Sequence, residues 1–581
     1  MNFNGLGEYE AWSKSYVNPF EPLQAPILAT FDGLTEEDLL FGPSPKLELG
    51  DVALGTFKAA KKLGMKPPEC AQAILAQVTF GSQVLSVQAT GPYLNFKLDR
   101  GVIAQPVLSV ILDEAGEYGS NHSGRDTRML IEHTSINPNA SPHVGRARNA
   151  MYGDTLVRLF RFEDYDVDVH YYVNDIGRQI GLLALFVDDI ESMTFDGVLQ
   201  AYVDANQKAE DDPEFAKQGY EMLAKMEEGD PEVAKKFHDL TDLCLKGQTD
   251  VLARLGIHYD QFDRESKYLK DPRLDTVVAA LEEKGAVFTD EDERLVVDLS
   301  KIGHERDEGR FFVLKRANGS SMYGFRDLAY TIDKMEQGAD VNLQVLGEDH
   351  KLYAEQLNLI LKAAGKTSPE TIYYAYILLK DGKMSTRQGK VVLLADFLDE
   401  AASRAGEKVE TQCADLPEAE RKAIAEKVAI AAVRFAILKV NPNKNVIFDW
   451  ESSLSFNGDT GPYVQYSCAR INSILRKYDG PVDCAVDSEF PLTQDAEWAL
   501  VMKLAEFPAV VAAAVENRNV APIGQYALET ARLFTTFYHD CPVLIAETPA
   551  LIRARIQLCR ATLQTQTNAL SILGIDALER M

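Results

Sequence analysis

Positive charge is the scarcest resource in this chain. It sets 60 lysines and arginines against 88 aspartates and glutamates, a net charge of −28 over 581 residues. That balance excludes broad non-specific adhesion to nucleic acid, DNA included, while leaving room for a local basic surface. Cysteine is sparse too. The seven residues (Cys70, Cys244, Cys413, Cys468, Cys484, Cys541 and Cys559) form no C-x-x-C pair and no Cys/His cluster, so neither a disulfide framework nor a structural zinc is expected. No apolar run approaches the roughly 20 residues of a membrane span, and the opening "MNFNGLGEYEAWSKSY" has neither the basic start nor the apolar core of a signal peptide. The expected location is the cytoplasm, with no membrane partner. What remains is an ordinary globular composition, 46 % hydrophobic and 25 % charged, in a chain too long for a single core.

Three regions differ in pattern. Residues 1–125 mix a helical stretch, "VALGTFKAAKKLG", with alternating strand-like text, "GPYLNFKLD", and read as an N-terminal α+β domain. From 126 to 395, short apolar runs ("MLIEH", "VDVHYYV", "NLQVLG", "TIYYAYILL") alternate with helical segments, the pattern of an α/β, Rossmann-like doubly wound parallel sheet. An acidic helical insertion interrupts it at about 190–260, where charges interleave with apolar residues at helical spacing. From 396 to 581 the strand signals fade, and helical periodicity predicts an all-α bundle.

Two loops carry the chemistry. "SINPNASPHVGRARNAMYGD" leads from an apolar strand into a helix. It places His143, Gly145 and Arg146 where the first N–H groups of that helix are unpaired, a ready anion site. "LLKDGKMSTRQGKVVLL" sets Lys383, Met384, Ser385 and Arg387 between two apolar runs, an inventory suited to a polyphosphate. Either alone reads as a basic surface loop. Both follow strands of one doubly wound sheet, whose ligands bind at the strands' carboxyl ends.

This ordered set resembles the class I aminoacyl-tRNA synthetases, and within them the arginyl-tRNA synthetase family. The resemblance rests on "IEHTSINPNASPHVGRARNAMYGDTLVRLF", "YYVNDIGRQI", "KMSTRQG" and "FDWESSLSFNGDTGPYVQYSCARINSIL", and runs from "GDVALGTFKAAKKLG" to the terminal "LSILGIDALERM". It implies an ATP-dependent ligase that joins L-arginine to tRNA(Arg), with Mg²⁺ accompanying ATP. The implied catalytic residues are His143, Arg146, Lys383 and Arg387. Gly145, Gly347, Asp349, His350, Met384 and Ser385 join them around ATP. The implied arginine contacts are Glu132, Ser135, Asn137, Glu265, Tyr323, Asp327 and Glu348. Tyr463, Gln465, Tyr466, Arg470 and Met581 would meet tRNA in an anticodon-binding bundle, and the N-terminal domain would touch the outer corner of the tRNA.

The chemistry fits those residue types. A carboxylate attacking the α-phosphate of ATP is already an anion, so activation needs positioning and charge neutralisation and no protein nucleophile. Selecting arginine needs carboxylates able to meet a planar guanidinium. Tyr323 and Asp327, four apart in "SMYGFRDLAY", would share a helical face. Arg146 departs from the family pattern by standing where the first signature ends in a second histidine. A non-charging paralogue that binds tRNA is therefore the alternative reading.

Overall fold

The computed structural model describes residues 18–581 apart from 45, 47, 139–140, 380–391 and 483–489. The N-terminal unit is an antiparallel sheet of β1 (Leu40–Pro43), β2 (Val52–Gly55), β3 (Val84–Thr90) and β4 (Tyr93–Leu98), ordered β1-β2-β4-β3. "VALGTFKAAKKLG" is thus helical only in part. Val52–Gly55 is the strand β2, paired on both sides by β1 and β4, and the helix begins at Phe57. Pairing on both edges outweighs the local helical spacing.

The central sheet holds five parallel strands: β5 (Arg128–Glu132), β6 (Asp166–Val173), β7 (Gln261–Arg264), β11 (Val341–Gly347) and β12 (Glu370–Tyr374). Their spatial order is β12-β11-β5-β6-β7. The chain winds outward from β5 in one direction, then returns to β11 on the other side. The switch point lies between β5 and β11, where a doubly wound sheet opens a crevice at its carboxyl edge.

Two insertions interrupt the winding. The helical one begins with Arg178–Phe186, earlier than its acidic composition indicates, and ends with Pro231–Ala253. Its Asp-Pro pairs explain its helix starts. Asp212 accepts from the backbone N–H of Glu214 and Phe215, and Asp230 from Glu232 and Val233, each followed by proline at the first helical position. The second insertion carries β8 (Val287–Thr289), β9 (Leu295–Asp298) and β10 (Phe311–Lys315), a small antiparallel sheet that periodicity did not signal. Its inner face packs on the helix Tyr323–Met335.

"TIYYAYILL" divides between two sheets. After β12, β13 (Ile377–Leu379) leaves to pair in parallel with β14 (Val446–Phe448), a strand in the region expected to be all helix. Three residues are too few to carry a period. The remaining C-terminal elements are helices, from Leu394–Gln412 to Pro549–Ile572. "DAEWALVMKLAEFPAVVAAAVEN" splits at Glu506, before Pro508, into Asp495–Ala505 and Phe507–Glu516. Contrary to the sequence expectation, this stretch is long and apolar enough to cross a membrane, yet 72 % of its most apolar window is buried in the bundle. It serves as bundle core.

Arg434 fastens the bundle to the central domain. Fully buried, it donates to the Asp154 carboxylate (2.6 Å), the Leu573 carbonyl (2.7 Å) and the Leu255 carbonyl (2.8 Å). Three segments remote in sequence meet on one guanidinium, whose planar donors suit that task.

Candidate active site

A cavity of about 530 Å³ opens at the switch point, lined from β5 by Glu132 through Ser135 and Asn137, and from β11 by Gln344 through Gly347. The backbone leaving β5 is forced. Thr134 (φ 81°) and Ser135 (φ 51°) both occupy the left-handed region, which non-glycine residues adopt only when their surroundings hold them there. Four contacts do so. The Thr134 N–H donates to Asn149 Oδ1 (2.7 Å), the Thr134 hydroxyl meets the Tyr259 hydroxyl (2.6 Å), Ser135 Oγ donates to the Tyr172 carbonyl (3.0 Å), and the Ile136 N–H donates to the Tyr171 hydroxyl (2.9 Å). Asn149 also donates to the Val345 carbonyl on β11 (2.9 Å), so one side chain spans the crevice floor. Gly153 lets the helix approach this turn, because a Cβ there would lie 2.3 Å from the His133 ring. Ser135 and Asn137 are left exposed toward the cavity.

The helix Val144–Phe162 starts at His143, and no side chain caps its first turn. The carbonyl of Val392 accepts from the Val144 N–H (3.1 Å), and the Pro142 carbonyl accepts from the Leu394 N–H (2.7 Å). Chain that follows the "KMSTRQG" motif in sequence is thereby laid against the anion-binding turn. Lys383, Met384, Ser385 and Arg387 themselves lie outside the described residues. The His143 Nδ1 is shielded and has no partner among the described residues. Burial, reinforced by nearby Arg146, lowers its pKa, so the ring is neutral at pH 7. Arg146, Gly347, Asp349 and His350 line the cavity on this side, whereas His143 and Gly145 sit at the helix start and are not part of its wall.

The opposite end is aromatic and acidic. Tyr323 and Asp327 project one turn apart from the helix Tyr323–Met335 into the cavity, as their spacing indicated. The Tyr353 hydroxyl donates to Asp327 (2.9 Å), and the Tyr323 and Tyr353 rings lie 5.6 Å apart. Burial raises the Asp327 pKa to about 6, and the neighbouring Glu132 carboxylate adds to the rise. No cation pairs with Asp327 among the described residues. Glu132 lines the same floor but is paired with Lys334.

Two expected arginine contacts are not brought to this wall. Glu265 is buried behind it and accepts from Arg326 Nε (2.6 Å). Burial there outweighs the arginine and lifts its pKa to about 7. Glu348 is exposed at the end of β11 and stands off the wall. Sequence reasoning missed Asn149, Asn174, Gln344 and Tyr353. It missed Lys334 too, although Lys334 follows Asp327 by two helical turns and Asn149 follows Arg146 by one, spacings that share a face.

In the bundle, the Arg470 guanidinium lies between the rings of Tyr466 (4.6 Å) and Tyr538 (4.9 Å) at a half-exposed position. Tyr463 is half-buried, its hydroxyl meeting Thr535 Oγ1 (3.0 Å), and Met581 packs partly buried against the core. Gln465 differs. It is fully buried and donates to the Asp576 carbonyl (2.8 Å), which ties the C-terminal segment to the bundle.

Three family models match the chain: the arginyl tRNA synthetase N terminal domain over residues 23–98, the catalytic domain of class I (R) tRNA synthetases over 107–450, and the DALR anticodon binding domain over 464–581. Among similar proteins, the arginine–tRNA ligase of Methanothermobacter thermautotrophicus is 36 % identical over 92 % of this chain and 94 % of its own length. That of Methanocella arvoryzae is 37 % identical over 94 % and 96 %. The structure of Thermus thermophilus arginyl-tRNA synthetase superposes with a TM-score of 0.74 at 28 % identity, covering 94 % of this chain and 96 % of that one. With these matches across its N-terminal unit, central sheet and helical bundle, the chain belongs to the arginyl-tRNA synthetase family of class I aminoacyl-tRNA synthetases.

Proposed function

We propose that the protein is a cytoplasmic arginine–tRNA ligase, which activates L-arginine with ATP and transfers the arginyl group to the terminal ribose of tRNA(Arg). Its support is a single cavity with two chemically unlike ends. At one end Asp327 offers a carboxylate paired with no cation among the described residues, beside Tyr323 and Tyr353. At the other, Arg146 faces the same space from the first turn of an uncapped helix.

In this reading the guanidinium of arginine meets Asp327, and Ser135 and Asn137 hold the α-amino end. The α-carboxylate then points toward the helix entry. One of its oxygens attacks the α-phosphorus of ATP, the bond to the bridging oxygen breaks, and pyrophosphate leaves with the electron pair. No residue need remove a proton in this step. The helix N-terminus, His143 and Arg146 stabilise charge that grows on the phosphates, and Lys383 and Arg387 share this role on the strength of their sequence pattern. Mg²⁺ enters with ATP, held by the phosphates as part of the substrate. In the second step a ribose hydroxyl of tRNA attacks the arginyl carbonyl, the bond from that carbon to the phosphate oxygen breaks, AMP departs with the electron pair, and the hydroxyl proton is released to solvent.

Arg470, stacked between two tyrosines, offers a planar cation and ring faces to unpaired bases of an anticodon loop. Nothing in the fold favours the non-charging alternative, since Arg146 lines the cavity without filling it.

The test is direct. The protein is incubated with ATP, total tRNA and each labelled amino acid in turn. Base-labile label on tRNA from arginine alone is expected, and its absence would overturn the reading.

A further inference from the structure

Three carboxylates gather beneath the cavity, and two come with their own cations. Glu132, at the end of β5, is paired with Lys334 Nζ. Glu265, after β7, is paired with Arg326. Both cations belong to the helix that carries Asp327. Lys334 is fully buried, and its ammonium also sits 4.8 Å from the centre of the Tyr330 ring. A desolvated lysine is costly unless its charge is matched, so its place among these acids calls for an electrostatic account.

We propose that Lys334 is a positioning residue for arginine recognition: by neutralising Glu132 it leaves Asp327 as the uncompensated carboxylate of the pocket floor among the described residues. The count then closes. Among the described residues Glu132 and Glu265 each have an internal cation and Asp327 has none, and the charge missing opposite Asp327 is the monocationic side chain of the substrate. Without Lys334, Glu132 and Asp327 would confront one guanidinium with two like charges, and neighbouring carboxylates respond by holding a proton. The other ionisable groups near this floor are held by partners of their own or by burial, Asp175 accepting from the Ser266 N–H (2.8 Å) and hydroxyl (2.6 Å). Asp263 is bonded to His170 (2.6 Å) behind it, Glu265 to Arg326, and Tyr172, Tyr330 and Tyr353 are held in the phenol form by burial.

This rests on the ligase reading, and one experiment separates the two. kcat/KM for arginine is measured in aminoacylation from pH 5 to 8.5 at saturating ATP and tRNA for wild type, Lys334→Met, Lys334→Arg and the double variant Glu132→Gln/Lys334→Met. In wild type the acidic limb should be set by Asp327, which lines the cavity, and not by Glu265, which stands behind the wall against Arg326. In Lys334→Met the limb should move upward by about 1–3 pH units, the span over which one adjacent cation shifts a carboxylate. Lys334→Arg should return it to the wild-type position, and so should the double variant, which restores the charge count without restoring the ion pair. A Lys334→Met enzyme of lower activity with an unmoved limb would make Lys334 merely structural and overturn the proposal. If that variant does not fold, the double variant decides, because a limb displaced from wild type would overturn the proposal equally. Failure of wild type to charge arginine at any pH would remove the functional reading and this proposal with it.

Discussion

Arg146 and Arg148 stand two positions apart on one helix and face opposite ways. Arg146 lines the cavity. Arg148 is fully buried and donates to the carbonyls of Ala375 (2.5 Å), Lys444 (2.8 Å) and Asn441 (3.0 Å). Two residues along a helix do not share a face, so arginines that look alike in "GRARN" divide into one aimed at the nucleotide side and one that bolts the helix to the chain around β14. Arg148→Met should therefore lower stability by about 3 kcal/mol, because a fully buried guanidinium and its bonds to three backbone carbonyls, that of buried Ala375 among them, are lost. Arg146→Ala should leave the melting temperature unchanged and slow adenylate formation roughly 10²-fold, the scale of one preorganised charge contact. Thermal unfolding together with ATP–pyrophosphate exchange in the presence of tRNA would resolve the pair. Equal losses of stability in both variants would contradict this division.

Asp327 makes a pH prediction whose sign can be worked out. Its carboxyl titrates near 6 in the folded protein, above its ordinary range, because burial and Glu132 oppose its charge. The folded state therefore holds this proton more tightly than the unfolded chain, and the cost of ionising the group grows as pH rises through about 4 to 6 and stays in full above that. Asp327→Asn should then stabilise the protein, by about 1 kcal/mol more at pH 8 than at pH 5. Arginine use by the wild type should fall as pH drops below about 6. Melting curves of the variant at the two pH values check the first statement. A stability change that is identical at both would contradict it.

The local geometry of this site was legible in the sequence, and the reason is spacing. Tyr323 and Asp327, and the strand-to-helix turn at His143, are local patterns whose geometry follows from one element, and each was found where its period placed it. What sequence could not show is pairing across elements. Glu265 looks like any acidic contact until Arg326, 61 residues away, is seen to hold it. Tyr353 gains its role only by reaching Asp327 from another helix. The strained backbone at Thr134 and Ser135 is held by Asn149, Tyr171, Tyr172 and Tyr259, none of which stands beside it in the chain. The short strands β13 and β14 escaped for a related reason, since each is defined by its partner rather than by its own pattern.

Gln465 and Arg470 lie on one helix of the bundle and should respond in opposite assays. Gln465→Ala removes the donor to the Asp576 carbonyl inside the core, and should cost about 1–3 kcal/mol of stability with tRNA affinity of the folded protein unchanged. Arg470→Ala removes a half-exposed stacked cation. It should weaken tRNA binding by about 1–3 kcal/mol and reduce its salt dependence, with little effect on unfolding. Binding isotherms at two salt concentrations and denaturant titrations distinguish the two, and unaltered tRNA binding in Arg470→Ala would remove it from the interface.

The most direct test of arginine selection is kcat/KM for arginine in the Asp327→Asn enzyme, measured beside ATP affinity. Removing the charge that meets a desolvated guanidinium should cost on the order of 3 kcal/mol or more, at least a 10²-fold loss, while ATP affinity stays within about twofold of wild type. A variant that charges arginine at nearly the wild-type rate would contradict the assignment of Asp327 and of the cavity end it defines.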